Sequence, residues 1–319
     1  MAGSRGPGSR SFKIGGMSSS SRLTGAALVT VAACAFSAKA VIIKLAYRHG
    51  VDPVTLLALR MLISAPFFLA LGLWSARGEH VMPLTRPDWR AVVLLGMMGY
   101  YLASLCDFIG LQYITAALER LVLFLYPTMV LLLAAIFFKR KVTRRDLLAL
   151  ALSYGGIVLV VAHDFSLSGS NVALGAFWVF LSALFYAGYL LGSGRYVERL
   201  GSMRFACYAA LVSCAGVVGH FLVTNDASLL WTQPSAVYWL SLTMALVSTV
   251  IPIVLTAEGI RRIGASHAAM IGAVGPVTTI FLGYWFLDEA ITAIQLAGAA
   301  LVLAGVLAIT LQKKAKSTN

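Results

Sequence analysis

Long apolar runs alternate with short polar breaks along the whole 319-residue chain. The runs fall at about 23–47, 54–75, 91–113, 115–138, 144–162, 172–196, 203–223, 235–257, 264–286 and 292–311. Each is about 20 residues long, the length a helix rising 1.5 Å per residue needs to cross a hydrocarbon core of about 30 Å. The pattern predicts an all-α integral membrane protein of ten transmembrane helices. Breaks as short as 113–115 and 287–291 leave no room for a crossover, so the helices they join are antiparallel hairpins. Residues 1–22 are Gly, Ser and basic residues and 312–319 are mostly Lys and polar residues, composition that builds no core; the first segment reads as a disordered tail and the second as a basic tail.

Composition agrees with the pattern: 60% of residues are hydrophobic, 12% are charged and the mean hydropathy is +0.86. The net charge of +13 raises the question of nucleic acid, but the basic residues sit in short loops between spans instead of forming a solvated face. No nucleic-acid partner is expected; the partner is the bilayer. Lys and Arg crowd the tails and loops on one side, whereas loops of the other side carry only Arg48. By the positive-inside rule both termini are cytoplasmic in a plasma membrane, of the bacterial inner-membrane kind. The four cysteines lie inside apolar runs without metal-ligand spacing, so no metal, disulfide or cofactor is expected.

The chain also repeats itself. A shift of 149 residues lays Gly110 on Gly259, Ala116 on Ala265, Pro127 on Pro276, Thr143 on Thr292, Leu147 on Leu296 and Gly156 on Gly305. Five spans per copy is an odd number, so the second copy is inverted with respect to the first. The predicted architecture is two inverted five-helix repeats, 23–162 and 172–311, an arrangement that in transporters holds substrate near the midplane between halves.

Ionisable residues inside the spans are the candidate chemistry, because a charge at the bilayer centre costs about 2.5–3.5 kcal/mol on insertion scales and survives beside a partner or a cavity. Counting helical rise from a turn at Ile114 puts Asp107, Glu119 and Arg120 at similar depth, roughly 8–10 Å below it, on neighbouring helices. They can meet as an internal ion pair or form a substrate or proton site. Arg120 is open to Asp107, to Glu119 or to substrate. Lys39 lies roughly 12 Å below Tyr47 by the same count; Lys44 is shallow enough to snorkel. Tyr100, Ser104 and Asp107 share a face by spacing, as do Ser182, Tyr186, Tyr189 and Ser193, and as do Glu119 and Tyr126. Each stripe alone is explained by interhelical hydrogen bonding. Convergence of the stripes would make a cavity whose substrate contacts are Lys39, Tyr100, Ser104, Asp107, Glu119, Arg120, Tyr126, Tyr186 and Tyr189. The matched Pro127 and Pro276 interrupt two helices and are candidate hinges.

The motifs Tyr113-Ile-Thr-Ala116, Pro127 and Gly155-Gly156 in the first half resemble the EamA branch of the drug/metabolite transporter superfamily. So do Gly264-Ala-Ser-His-Ala-Ala, Gly275-Pro276, Phe286-Leu-Asp-Glu289 and Gln295-Leu-Ala-Gly298 in the second. Lys139-Arg140 stands where that family usually has an acidic residue, and Glu119-Arg120 where small residues are common. The resemblance implies ten helices around a central cavity and movement of small metabolites. The expected function is therefore a secondary transporter, in the export direction, for a small polar or amphipathic metabolite such as an amino acid or related carboxylate. Protons are the candidate coupling ion and a homodimer the candidate assembly. No nucleotide-binding loop or hydrolytic motif is present, so an enzyme is not expected; an intramembrane lipid-handling protein or enzyme is the competing class.

Overall fold

A computed structural model describes residues 19–77, 82–139, 141–168 and 171–317. It contains ten membrane-length helices: α1 Leu23–Tyr47, α2 Pro53–Ser75, α3 Arg86–Gly110, α4 Ala116–Phe138, α5 Arg144–Phe165, α6 Asn171–Leu200, α7 Ser202–Thr224, α8 Ser235–Ile263, α9 Met270–Leu287 and α10 Ala293–Thr310. No strand occurs among the described residues. The helix containing α1 begins at Ser19, so the last four residues of the segment read as disordered are helical; residues 1–18 lie outside the described residues.

Local chemistry sets the helix starts. Asp52 caps α2 by accepting from the backbone N–H of Val54 and Thr55, both at 3.0 Å, with Pro53, which has no N–H to satisfy, at the first position. Thr85 and Asp88 close a reciprocal capping box on α3. Thr143 and Asp146 do the same for α5, and Thr292 and Gln295, each 149 positions later, for α10.

That register runs through the whole structure. A π-helical turn interrupts α3 at Met97–Leu102 and α8 at Leu246–Val250. The first segment of α4, Ala116–Leu123, gives way to a second that starts at Tyr126, next to Pro127; Ala265–Gly272 gives way to a segment starting at Gly275, next to Pro276. A proline cannot donate to the carbonyl four residues back, so each helix breaks one turn before it. Lys139 ends α4 and Asp288 ends α9 in the left-handed conformation, the two non-glycine residues with positive φ among those described. The halves are thus inverted copies down to their irregularities.

Small residues let the copies interlock. A methyl group added at Gly156 would lie 2.7 Å from the Gly298 carbonyl oxygen, and one at Gly305 would lie 2.5 Å from that of Ala149. These are symmetry-related views of the same α5–α10 crossing. Likewise Gly110 meets Gly175 and Val179 where α3 crosses α6, and Gly259 meets Gly25 and Val29 where α8 crosses α1. In consequence α1 packs mainly on the second half, on α8 and α9, while α6 packs on α3 and α4 of the first. Large apolar side chains such as Leu73, Phe137, Val158, Leu222, Trp239 and Trp285 cover the exterior. An apolar surface of that extent, with ten crossing helices, makes this a multi-pass membrane protein.

For description, the end holding the turns at 48–52, 111–115, 225–234 and 288–292 is termed the acidic end, after Asp52, Asp226, Asp288 and Glu289. The opposite one, rich in Lys and Arg, is the basic end.

Candidate functional site

Two clusters occupy the interior, one built from residues of the first half and one that joins α3 and α4 to α6 of the second. The first is ionic. Lys39 on α1 reaches back from the helix that packs on the second half to the carboxylates of the first: its Nζ lies 2.6 Å from Asp107 Oδ2 and 3.4 Å from Glu119 Oε1. Asp107 is 2% exposed, Glu119 is 0% exposed and Lys39 is 17% exposed. Arg60 on α2, also buried, completes the balance. It donates to Ser104 Oγ at 3.2 Å, lies 5.1 Å above the Phe108 ring and is within electrostatic range of Asp107. Two carboxylates therefore face two cations.

Arg120 is left over. It makes no hydrogen bond or ion pair with any described residue, and its Nε is buried without a partner. Its guanidinium lies flat against the backbone of Gly275: a methyl group there would stand 2.9 Å from Nη2 and 3.3 Å from Ser37 Oγ. Ser37 in turn donates to the Gly275 carbonyl at 3.0 Å, and Thr279 donates to the Ser37 carbonyl at 3.3 Å, so α1 and α9 are stitched together beside the cation. An arginine whose donors make no hydrogen bond with a described residue is a fork prepared for a planar oxyanion.

The second cluster is aromatic. Tyr126 meets Tyr186 edge to face at 5.2 Å, Tyr186 stacks on Tyr189 at 5.9 Å, and Tyr189 meets Tyr100 at 5.2 Å with their hydroxyls 3.5 Å apart. The Arg120 charge acts on the hydroxyls of Tyr126 and Tyr186, which ties the two clusters together.

Several expectations change in detail. Arg120 pairs with neither Asp107 nor Glu119, because Lys39 from α1 occupies that place. Glu119 and Tyr126 meet different partners on either side of the break at Phe124-Leu125, Lys39 for Glu119 and Tyr186 for Tyr126. The Tyr100–Ser104–Asp107 stripe is divided among three partners, Tyr189, Arg60 and Lys39, with Tyr100 inside the π turn and Ser104 and Asp107 beyond it. Ser182 and Ser193 are buried, and Ser193 donates to the carbonyl of Leu190 on its own helix. Lys44 does more than snorkel, donating to the Ile114 carbonyl at 2.7 Å. His220 accepts or donates at Tyr101 Oη, 3.0 Å away, as a packing residue.

Sequence reasoning missed the closure of the acidic end. Glu289, from the α9–α10 connection, reaches across the seam and accepts from the first free amides of α4, Ala116 N at 2.9 Å and Ala117 N at 3.4 Å. A carboxylate there is favoured by the helix dipole as well as by the hydrogen bonds. Arg48 adds a donor to the Leu287 carbonyl at 2.9 Å. The only local hint was the exchange of Lys139-Arg140 for Asp288-Glu289 between repeats. Two cavities open at this end, of about 340 and 430 Å³, both lined by Lys44, Gln112, Thr115 and Glu289. Neither wall includes Lys39, Asp107, Glu119 or Arg120.

Comparison with known proteins gives a consistent result. A family model described as the EamA-like transporter family matches residues 23–162 and 173–311. The chain is 33% identical over 285 residues to the uncharacterized transporter YcbK of Bacillus subtilis (strain 168), covering 86% of this chain and 88% of that one. It is 27% identical over 277 residues to the uncharacterized transporter sll1319 of Synechocystis, covering 83% and 81%. A protein of solved crystal structure superposes with a TM-score of 0.62 at 19% identity, over 93% of this chain and 98% of the other, which speaks to the fold.

Proposed function

We propose that this chain, which belongs to the EamA-like transporter family, is a secondary transporter that recognises a small amphipathic carboxylate, such as an amino acid, at Arg120 and moves it by alternating access. One observation carries the reading: the guanidinium of Arg120, whose buried Nε has no partner and which makes no hydrogen bond or ion pair with a described residue, beside the Lys39–Asp107–Glu119 cluster. A cation in the seam between two repeats, with its donors open and tyrosines beside it, asks for an anion with an organic body. A substrate carboxylate meets the fork, and the Tyr126–Tyr186–Tyr189 wall meets its less polar part.

The ionic cluster suits coupling. Lys39 holds two carboxylates of α3 and α4 from a helix bound to the other half, so this bridge spans the surface along which the halves rock. Protonation of Asp107 or Glu119 would weaken the bridge on one arm while leaving the other, a change of state without loss of the cluster. The breaks at Pro127 and Pro276 are the hinges of this reading. Closure of the acidic end by Glu289 and Arg48 corresponds to one of the two alternating states. Basic loops on the opposite side support cytoplasmic termini in a plasma membrane of the bacterial inner-membrane kind, and the direction we propose is export. No cofactor and no catalytic step enter this mechanism.

The test is uptake of labelled amino acids and organic acids into proteoliposomes, with and without a pH gradient. Saturable uptake by the intact protein, absent in a folded Arg120→Ala variant, is the expected result. Normal uptake by that variant would remove Arg120 from recognition. Chemical conversion of a panel member without its accumulation would favour the intramembrane enzyme.

A further inference from the structure

We infer that the cavity of about 340 Å³ at the acidic end is a binding site for a primary alkylammonium group, with Asp164 as its counter-ion. Asp164 stands in the last turn of α5, 8% exposed, on the wall of this cavity. Its Oδ2 is buried and receives no hydrogen bond. A desolvated carboxylate oxygen without a donor is costly, and a ligand bearing N–H groups and positive charge removes that cost.

The surrounding groups define which ligand. The charges that act on Asp164 are those of its neighbour His163 and of Glu289 across the cavity. Glu289, itself an anion, is held by the amides of Ala116 and Ala117, and Lys44, which donates to the Ile114 carbonyl, makes no hydrogen bond or ion pair with Asp164 among the described residues. The cavity thus presents one acidic oxygen without a hydrogen bond, on a wall that also includes Gln112 and Thr115. Its floor is apolar, formed by Ile114, Leu118 and Val172. A bare ion would use a small part of such a space, since a water molecule takes about 30 Å³ of liquid volume. Among the described residues no group of three or more His, Cys, Asp or Glu side chains is set to hold a metal ion. A three-donor ammonium on a short alkyl chain fits both the acidic wall and the apolar floor. The site lies at the mouth of the closed end, apart from Lys39 and Arg120, and does not rest on transport of a carboxylate.

The experiment is isothermal titration of the purified full-length chain in detergent with n-propylammonium, with sodium and propionate as comparison ligands. The expected result is saturable binding of n-propylammonium that Asp164→Asn weakens ~10-fold or more, the scale of a lost charge-assisted hydrogen bond. Propionate shows no such dependence. Val172→Trp, which fills the apolar floor and leaves the charge in place, also abolishes binding and serves if Asp164→Asn does not fold. Absence of saturable binding to the intact chain, or unchanged affinity in both variants, overturns the proposal. Binding of sodium but not of n-propylammonium, with the same dependence on Asp164, overturns it in favour of an inorganic cation.

Discussion

The two halves of this protein share capping boxes, π turns, proline breaks, left-handed helix ends and glycine crossings at an offset of 149 residues, or 150 between α1 and α6, yet they differ in what they place at the level of Asp107, Glu119 and Arg120. Where the first half has Asp107, Glu119 and Arg120, the second has Thr256, Ala268 and Ala269. Lys39 of α1 corresponds, through the Gly25/Gly175 and Val29/Val179 crossings, to Tyr189 of α6. The second half is therefore a built-in control. It forms the same five helices with uncharged residues at the positions of Asp107, Glu119 and Arg120. Those charges are an addition to the architecture, and transport chemistry is the economical reason for it.

That comparison can be broken, most severely at Arg120. Arg120→Ala is expected to reduce uptake ~100-fold or more, as loss of one partner of a buried charge pair at about 2–5 kcal/mol implies, while thermal unfolding of the purified protein barely moves. Equal loss of stability and activity would make the residue structural. Next comes Lys39. Lys39→Ala alone strands two buried carboxylates and should cost about 3–5 kcal/mol of stability. The triple change Lys39→Met, Asp107→Asn, Glu119→Gln imitates the uncharged second half. It should restore the melting temperature while abolishing any dependence of uptake on a pH gradient; a triple variant that still fails to fold would show that the charges hold the first half together.

Two smaller effects sharpen the symmetry itself. Gly156→Leu and Gly305→Leu overpack the same α5–α10 crossing from its two related sides, so each should destabilise by about 1–3 kcal/mol and by similar amounts, read as matching shifts in thermal unfolding. The smallest effect belongs to the ends. Glu289→Gln removes the charge from the start of α4 and should cost about 0.5–2 kcal/mol. Its measurable sign is faster thiol labelling of a Gln112→Cys reporter at the acidic end, whereas Lys139→Gln, the substitution at the end of the other repeat's α4, should leave that labelling unchanged.

The fold was largely legible in the sequence because hydropathy and length alone define a crossing helix, and because an odd number of spans forces the inverted repeat. Depth was legible as well: counting rise from Ile114 brought Asp107 and Glu119 to the same level. What could not be read was direction around each helix axis. The sequence carries no sign of the π turn in which Tyr100 sits, or of the different partners that Glu119 and Tyr126 meet across the break before Pro127. The partnership of Lys39 depends on how α1 leans on the second half. The contact of Glu289 with Ala116 joins residues 173 positions apart in sequence, for which no local pattern exists.

Gly275 occupies, under the internal symmetry, the place of Tyr126. One repeat fills that position with a ring; the other leaves it empty, and the guanidinium of Arg120 has moved into the vacancy. The two positions are consequently a single heritable unit. A lineage that acquires any side chain at 275 must surrender or relocate the arginine, and one that loses the arginine is freed to fill 275. Among relatives, then, the identity of residue 275 should forecast whether an arginine stands at 120, and a change of substrate charge should travel with both positions together.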